Sequence, residues 1–492
     1  MLLLGIDIGT SSIKASVLDA STQQLICSAQ YPETESDIIA EKPGWAEQSP
    51  EMWWEHVQLA ILKLHAQRKY DPADIAAIGI AYQMHGLVMV DREQNVLRNS
   101  IIWCDSRAVD IGNKAFEAIS KEKCLLHLLN SPGNFTASKL AWVKENELSV
   151  YEEAGKIMLP GDFIAMKLTG EITTSVSALS EGVFWDFLNN ELSKDVFNYY
   201  QFNTSLIPQI KDVFAEHGYL SKSVASALSM KEGIPVTYKA GDQPNNALSL
   251  NVLEPGDVAA TAGTSGVIYG ISDQLTYDDN SRINTFAHVN HTSSHKRLGV
   301  LLCINGTGIL NRWMKNITGE HVSYQQMNHA ASTIKKGSDG VIVLPFGNGA
   351  ERILENRIAG AHICNLDLNI HTNAHLYRAA QEGIAFAFRY GLDIMEENGM
   401  TPKVIRAGKA NMFLSDIFTE CFVNTLNIPV EMYNCDGSAG AAIGAGLGAK
   451  IYKNSKEAFQ HFKPLQLVEP NGKKEYEEFY HKWLGQLQKQ LN

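Results

Sequence analysis

Two short runs of small residues share a core: Gly9-Thr10-Ser11 near the start of the chain, and Gly263-Thr264-Ser265 about half a chain later. Each stands between apolar stretches, 2–8 and 13–18 in the first case, 258–262 and 267–271 in the second. A strand-to-strand turn of small residues presents backbone N–H groups and hydroxyls on a narrow loop, the donor array that phosphate oxygens need. Either turn alone reads as an ordinary hairpin. The pair, with Asp7 just ahead of the first, points to phosphate binding. Asp7 stands in an otherwise apolar strand, and a buried carboxylate must be paired, hydrated or metal-linked. Mg2+ takes one or two carboxylates plus water and substrate phosphates, so it would account for Asp7, directly or through a water. Pairing with Lys14 across the hairpin is the other account.

Gly241-Asp242-Gln243-Pro244-Asn245-Asn246 follows a further apolar run at the middle of the chain. An Asp at the mouth of a cleft can accept a proton from a hydroxyl as it attacks a phosphoryl group. Gly, Asp, Asn and Pro are also common turn chemistry, and pattern alone leaves the two readings even. Gln83-Met84-His85-Gly86 lies at the carboxyl end of a predicted strand, 75–81, where open α/β sheets place ligands. A His there can bond a polyol, or simply occupy a loop. In Trp103-Cys104-Asp105-Ser106-Arg107 the acid and base read as a solvated ion pair. His288, His291 and His295 are close together, but no carboxylate or cysteine cluster accompanies them, so zinc is not expected. Gly440, Gly444, Gly446 and Gly448 do not form a dinucleotide fingerprint and read as close helix packing; a Walker-type Gly-x-x-x-x-Gly-Lys-Ser/Thr is absent.

The elements that would position these residues are legible. Strands are expected over 2–8, 13–18, 25–31 and 75–81. Between them, Ser49-Pro50 supplies an N-cap and first-turn pair for a helix over 51–67, with Trp54, Val57, Ile61 and Leu64 as its apolar face. The second half repeats the opening: strand, small turn and returning strand over 258–271, which argues for internal duplication. Further expectations are a strand at 341–344, a helix over 372–398 stopped by Gly399, a strand near Val404, and helices over 415–426 and 439–449. Two α/β halves, 1–250 and 251–492, would leave a cleft between them, and domain junctions are favoured ligand sites.

Length and composition agree with that picture. The 492 residues exceed one typical domain. The balance of 42 basic against 54 acidic residues, a net charge of −12, argues against nucleic acid as a partner. An anionic ligand would need local help from backbone donors and a metal. No apolar run approaches the roughly 18–20 residues of a membrane helix. Met1-Leu2-Leu3-Leu4 lacks a basic flank and reads as a strand, not a signal peptide. The seven cysteines are scattered without Cys-x-x-Cys, the usage of a reducing compartment, so a cytoplasmic location is expected.

Taken together and in order, Gly5-Ile6-Asp7-Ile8-Gly9-Thr10-Ser11, Gly44-Trp45-Ala46-Glu47-Gln48, Gln83-Met84-His85-Gly86, Trp103-Cys104-Asp105-Ser106-Arg107, Gly241-Asp242 and Gly263-Thr264-Ser265-Gly266 resemble the FGGY carbohydrate kinases. The similarity runs from residue 1 to about 450. It implies two domains of the actin-like, ribonuclease-H-like ATPase fold, each a mixed sheet flanked by helices. It also implies a sugar deep in the cleft and ATP mostly on the C-terminal side. Within the family, the members that phosphorylate the ketopentose D-xylulose are the most similar, implying transfer from ATP with Mg2+ to give D-xylulose 5-phosphate. By this resemblance Asp242 is the general base. Met84, His85, Trp103 and Gln243 line the sugar, Asp7 serves the metal, and Thr10, Ser11, Gly263 and Thr264 serve the phosphates. The segment 344–352 resembles the family's Pro-Tyr … Gly-Glu-Arg. Two departures stand out: Gln243 replaces the usual Asn, and the Gly-Gly-Gly-Ala adenosine segment becomes Arg406-Ala407-Gly408-Lys409-Ala410-Asn411. Gly408, Lys409 and Asn411 are its candidate nucleotide contacts, with Arg406 beside them. Kinases of ribulose, fuculose or gluconate are the enzymatic alternatives, and a non-catalytic sugar or nucleotide sensor is the alternative of another class. Family members are often dimers, which implies a homodimer.

Overall fold

A computed structural model describes residues 1–319 and 321–491. The first apolar stretches fold as β1 (Leu2–Ile8), β2 (Ile13–Asp19), β3 (Leu25–Tyr31), β4 (Ile75–Tyr82) and β5 (Val236–Gly241). Between them lie α1 (Pro50–Ala66), α2 (Thr136–Asn146) and α3 (Val176–Glu181); α4 (Asp242–Ser249) follows β5 directly. The Ser49 side chain accepts the Met52 N–H and caps α1, as its sequence requires. The indole that α1 buries is Trp53, not Trp54: Trp53 Nε1 donates to Gln48 Oε1 (3.1 Å), a partner that helical periodicity alone does not reveal.

The second half supplies β6 (Val258–Ala262), β7 (Gly266–Ser272), β8 (Asn284–Ala287), β9 (Leu298–Ile304), α5 (Gly308–Thr318), α6 (Tyr324–Ser332) and β10 (Ile342–Phe346). It continues with α7 (Asn373–Glu397), β11 (Ile405–Gly408), α8 (Asp416–Leu426), β12 (Val430–Tyr433), α9 (Gly437–Gly448), β13 (Gln466–Val468) and α10 (Lys473–Leu491). Helix α7 ends where Gly399 takes a φ of +86°, the left-handed stop a glycine provides.

The duplication read from the Gly-Thr-Ser turns appears in the sheets. The first runs β3-β2-β1-β4-β5, with antiparallel β3-β2-β1 continued by parallel β4 and β5. The second contains β9-β7-β6-β11-β12 with the same directions, extended by β8 and β13 at its two edges. This is the two-domain mixed-sheet architecture expected from the sequence.

In each half the last parallel strand feeds a helix that crosses to the other half. Helix α4 leaves β5 and buries Ala247 with Ala259 of β6 and Tyr269 of β7. Helix α9 leaves β12 and lies on the first sheet, as its small residues allow. A Cβ on Gly5 would stand 1.8 Å from the Ser438 carbonyl, and one on Gly79 would stand 2.0 Å from that of Ala441. The glycine-rich run is therefore a packing surface on strand backbone. At the opposite edge, Ser177 Oγ donates to the Ala287 carbonyl (2.8 Å) and Ser180 Oγ accepts the Ala287 N–H (2.9 Å). These bonds tie α3 to β8 and satisfy an otherwise open edge strand. Among the described residues no helix is long and apolar enough to cross a membrane.

Candidate active site

The motifs of the first half are spread over some hundred residues, yet one hydrogen-bonded cluster joins them. Trp103 Nε1 donates to Thr10 Oγ1 (2.9 Å), which donates to Gln83 Oε1 (3.1 Å). Gln83 Nε2 donates to Gln48 Oε1 (3.1 Å), and Gln48 Nε2 donates back to the Thr10 carbonyl (2.8 Å). The first small turn, the end of β4 and the Trp103 loop are thereby fixed to one another. Behind them, Arg107 lies against both oxygens of Asp105 and reaches Glu47 Oε1 (2.7 Å), with its guanidinium 3.7 Å from the Trp45 ring centroid. Asp105 is fully buried and the Arg107 side chain almost so. The solvated ion pair expected from the sequence is thus corrected: Trp45 and Glu47, sixty residues earlier, cover it.

A cavity of about 380 Å3 opens in front of this cluster, and Met84, His85, Trp103, Asp242 and Gln243 all line it. Asp242 begins α4 at the carboxyl end of β5. Burial pushes its carboxyl from the ordinary 3.8 up to about 7; the charge on Asp7 adds to the effect, and the Gln243 N–H and amide oppose it. A carboxylate poised there can take a proton from an attacking hydroxyl near neutral pH. His85 Nδ1 donates to the Glu181 carbonyl (3.0 Å), so Nε2 is left as an acceptor. Burial, and secondarily the Lys139 ammonium, pulls the imidazole down to about 3, so it stays neutral. Its ring stands 4.9 Å from Phe135 and 5.4 Å from Phe286, a residue of β8 in the other half.

From the second half, Ser265 and Arg352 complete the cavity wall. The turn containing Ser265 also reaches a second cavity of about 400 Å3, lined by Gly263, Thr264, Gly308, Asn311, Arg312 and Asn411. Gly308 N donates to the Gly263 carbonyl (2.9 Å) and Ile309 N to that of Thr264 (3.1 Å), which docks the turn on the start of α5. Asn311 Oδ1 is buried there with no partner among the described residues. A phosphate chain lying along residues 263–265 would run from one cavity to the other.

Asp7 faces Lys14 across the β1–β2 pair, but the Lys14 ammonium bonds Asp436 Oδ2 (2.9 Å). Asp436 caps α9, its side chain accepting the Ala439 N–H, whereas at α4 Gly241 holds the cap position and Asp242 is the first helical residue. Burial raises the Asp7 carboxyl to about 6, the charge on Asp436 adds to it, and Lys14 opposes. Two carboxylates with one lysine leave negative charge over, and hard oxygen donors of this kind fit Mg2+.

Not every candidate converges. Ser11 sits exposed at the turn tip, its carbonyl accepting the Ser36 N–H (2.7 Å). Gly408 and Lys409 line neither cavity: Gly408 packs on Cys435, and Lys409 Nζ points to Gln466 Oε1 (3.4 Å) on β13. Arg406 is engaged with Glu431 (3.2 Å). Reasoning from sequence missed Glu181, Asp436, Arg352 and Asn311 as site residues. A lone acid in the mostly apolar run 176–185 was the available signal for Glu181. A separate cavity of about 450 Å3 between β10, α7 and α10 holds none of the site residues.

Comparison with known proteins shows the family to which this fold belongs. Residues 2–249 match the N-terminal domain model of the FGGY family of carbohydrate kinases, and residues 258–449 match its C-terminal domain model. A xylulose kinase of Haemophilus influenzae is 27% identical, over 98% of this chain and 99% of its own. A ligand-bound xylulose kinase from Lactobacillus acidophilus superposes with a TM-score of 0.90 at 21% identity, over 99% of this chain and 98% of its own. A gluconate kinase from the same organism superposes with 0.89 at 20% identity, over 100% of this chain and 98% of its own.

Proposed function

Because the chain belongs to the FGGY family of carbohydrate kinases, we propose that it transfers the γ-phosphoryl group of ATP to the terminal hydroxyl of D-xylulose, giving D-xylulose 5-phosphate and ADP. The observation that carries this reading is Asp242, a carboxylate held near neutral pKa in the cavity that Met84, His85 and Trp103 share. Phosphoryl transfer asks a protein mainly to position groups and stabilise charge. Asp242 orients the attacking hydroxyl and takes its proton. His85 Nε2 accepts from a second hydroxyl, while Met84 and Trp103 bury the carbon face and Gln243 supplies an amide. The Gly263–Thr264 turn, together with Thr10 of the first turn, receives the phosphates, and Asn411 the adenosine end. Asp7, with Asp436 beside it, would hold Mg2+, which when bound would offset triphosphate charge. Closing of the halves on the sugar excludes water and limits idle hydrolysis of ATP.

In this account residues 1–250 form the sugar-binding domain and 251–492 the nucleotide-binding domain, with α4 and α9 as the elements that cross over. The enzyme works as a cytoplasmic homodimer. All seven cysteines are free, which suits a reducing compartment.

Arg352 supports a second reading. It lines the sugar cavity, and among the described residues its guanidinium makes a single hydrogen bond, a long 3.4 Å contact to the Ser281 carbonyl. A guanidinium so placed would suit the carboxylate of a sugar acid such as gluconate. Coupled ADP-release assays on D-xylulose, D-ribulose, L-fuculose and D-gluconate separate the readings. D-Xylulose is expected to have the highest kcat/KM. Preference for gluconate would favour the second reading, and sugar binding by calorimetry without ADP release would make the protein a sensor.

A further inference from the structure

Glu181 is a buried acid for which phosphoryl transfer has no direct use. It ends α3, 1% exposed, and its Oε2 has no partner among the described residues. Oε1 accepts the backbone N–H of His85 (3.3 Å), and the Glu181 carbonyl accepts His85 Nδ1–H (3.0 Å). On the far side of the loop, Lys139 Nζ donates to the His85 carbonyl (2.8 Å). Oε2 faces Gly241, where a Cβ would stand 2.7 Å away, so one carboxyl group touches both the His85 loop and the residue before Asp242.

His85 needs this support. Its φ of +60° is left-handed, a conformation that a residue with a side chain keeps only when its surroundings over-determine it. The N–H, the carbonyl and Nδ1 are each held by one bond, and Glu181 makes two of the three. Helix α3 is in turn fixed to β8 through Ser177 and Ser180, so the support is rigid.

We propose that Glu181 is a positioning residue of the sugar site, holding the His85 backbone left-handed so that Nε2 faces the sugar as an acceptor. This rests on the reading that His85 contacts the sugar. Burial pushes the Glu181 carboxyl well above the usual carboxylate range, which disfavours a second charge beside Asp242. A neutral amide of the same shape can therefore replace it, whereas an apolar side chain cannot.

The test is steady-state kinetics, with D-xylulose and ATP varied separately, for the unmodified enzyme, Glu181→Met, Glu181→Gln, His85→Ala and the double variant Glu181→Met/His85→Ala, each with a thermal melt. Glu181→Met keeps the volume and removes a half-satisfied buried acid, which offsets the His85 N–H it leaves unpaired, so its Tm should stay within a few degrees. Its KM for the sugar should nevertheless rise at least tenfold, with KM for ATP within twofold. Glu181→Gln should recover most of the lost sugar affinity, and Glu181→Met should have little further effect in the His85→Ala background. The proposal is overturned if Glu181→Met changes the sugar KM less than threefold. It is equally overturned if both KM values move together with a fallen Tm, if Gln is as damaging as Met, or if the two losses multiply independently. If His85→Ala leaves the sugar KM unchanged, the placement of His85 in the sugar site fails, and the role of Glu181 with it.

Discussion

Replacing Asp242 by Asn should cut turnover by orders of magnitude and, at the same time, stabilise the folded protein. In the unfolded chain this carboxyl has its ordinary pKa of 3.8, and in the fold it lies at about 7. Below pH 3.8 the proton is bound in both states and the group costs nothing. Above pH 7 it is ionised in both, and the full penalty of burying a charge is present. A rise of roughly three pKa units at 1.36 kcal/mol each sets that penalty at about 4 kcal/mol above pH 8, and at between about 1 and 2 kcal/mol at pH 5. Water in the cavity restores part of the hydration, so these are ceilings. Asn has nearly the same shape and no charge to bury. The assay pairs ADP release at saturating sugar with denaturant unfolding of the ligand-free enzyme at pH 8 and pH 5. Turnover should fall about 10²–10⁴-fold, the worth of a general base, while the midpoint rises at pH 8 by more than at pH 5. Near-normal turnover would remove Asp242 as the base. An equal or reversed stability difference at the two pH values would remove the strained carboxylate from the argument.

Other consequences are equally measurable. The kcat/KM for the sugar should fall as pH drops below about 7, because Asp242 then takes up its proton; His85, neutral down to about 3, adds no limb of its own above pH 5. Gly308→Ala places a Cβ 2.3 Å from the Gly263 carbonyl, so it should raise KM for ATP several-fold and leave sugar binding by calorimetry intact. Gly79→Ala drives a methyl into the Ala441 backbone, and overpacking of about 1–3 kcal/mol should appear as a lowered Tm. Arg107→Met leaves the buried Asp105 carboxylate without its guanidinium, a loss of about 3–5 kcal/mol in denaturant unfolding.

Much of this fold is written locally. Strands β1 to β4, the Ser49 cap and the Gly399 stop are short-range patterns, and the two Gly-Thr-Ser turns announced a duplication that the two sheets repeat strand for strand. What the sequence withholds is partner choice across distance. Helix α9 is legible as a close-packing surface, but not as one that lies on the opposite sheet. The burial of Asp105 depends on Trp45, and that of Trp53 on Gln48. Glu181 and Asp436 belong to no spaced motif, and become visible only when His85 and Lys14 are found bonded to them. Lys409 illustrates the converse: its charge suggests a phosphate contact, yet its ammonium lies 3.4 Å from Gln466 Oε1 on β13 and it lines neither cavity.

The account stands on one convergence: sugar, phosphate turn and Asp242 in a single cleft. Its most direct measurement is the distance between the sugar's terminal hydroxyl oxygen and the Asp242 carboxylate in a crystal holding D-xylulose and a non-hydrolysable ATP analogue. Hydrogen-bond contact, about 2.6–3.2 Å, with the terminal phosphate against residues 263–265, is the expected result. A sugar seated with that hydroxyl out of reach of Asp242, or bound in the cavity between β10 and α10, would contradict it.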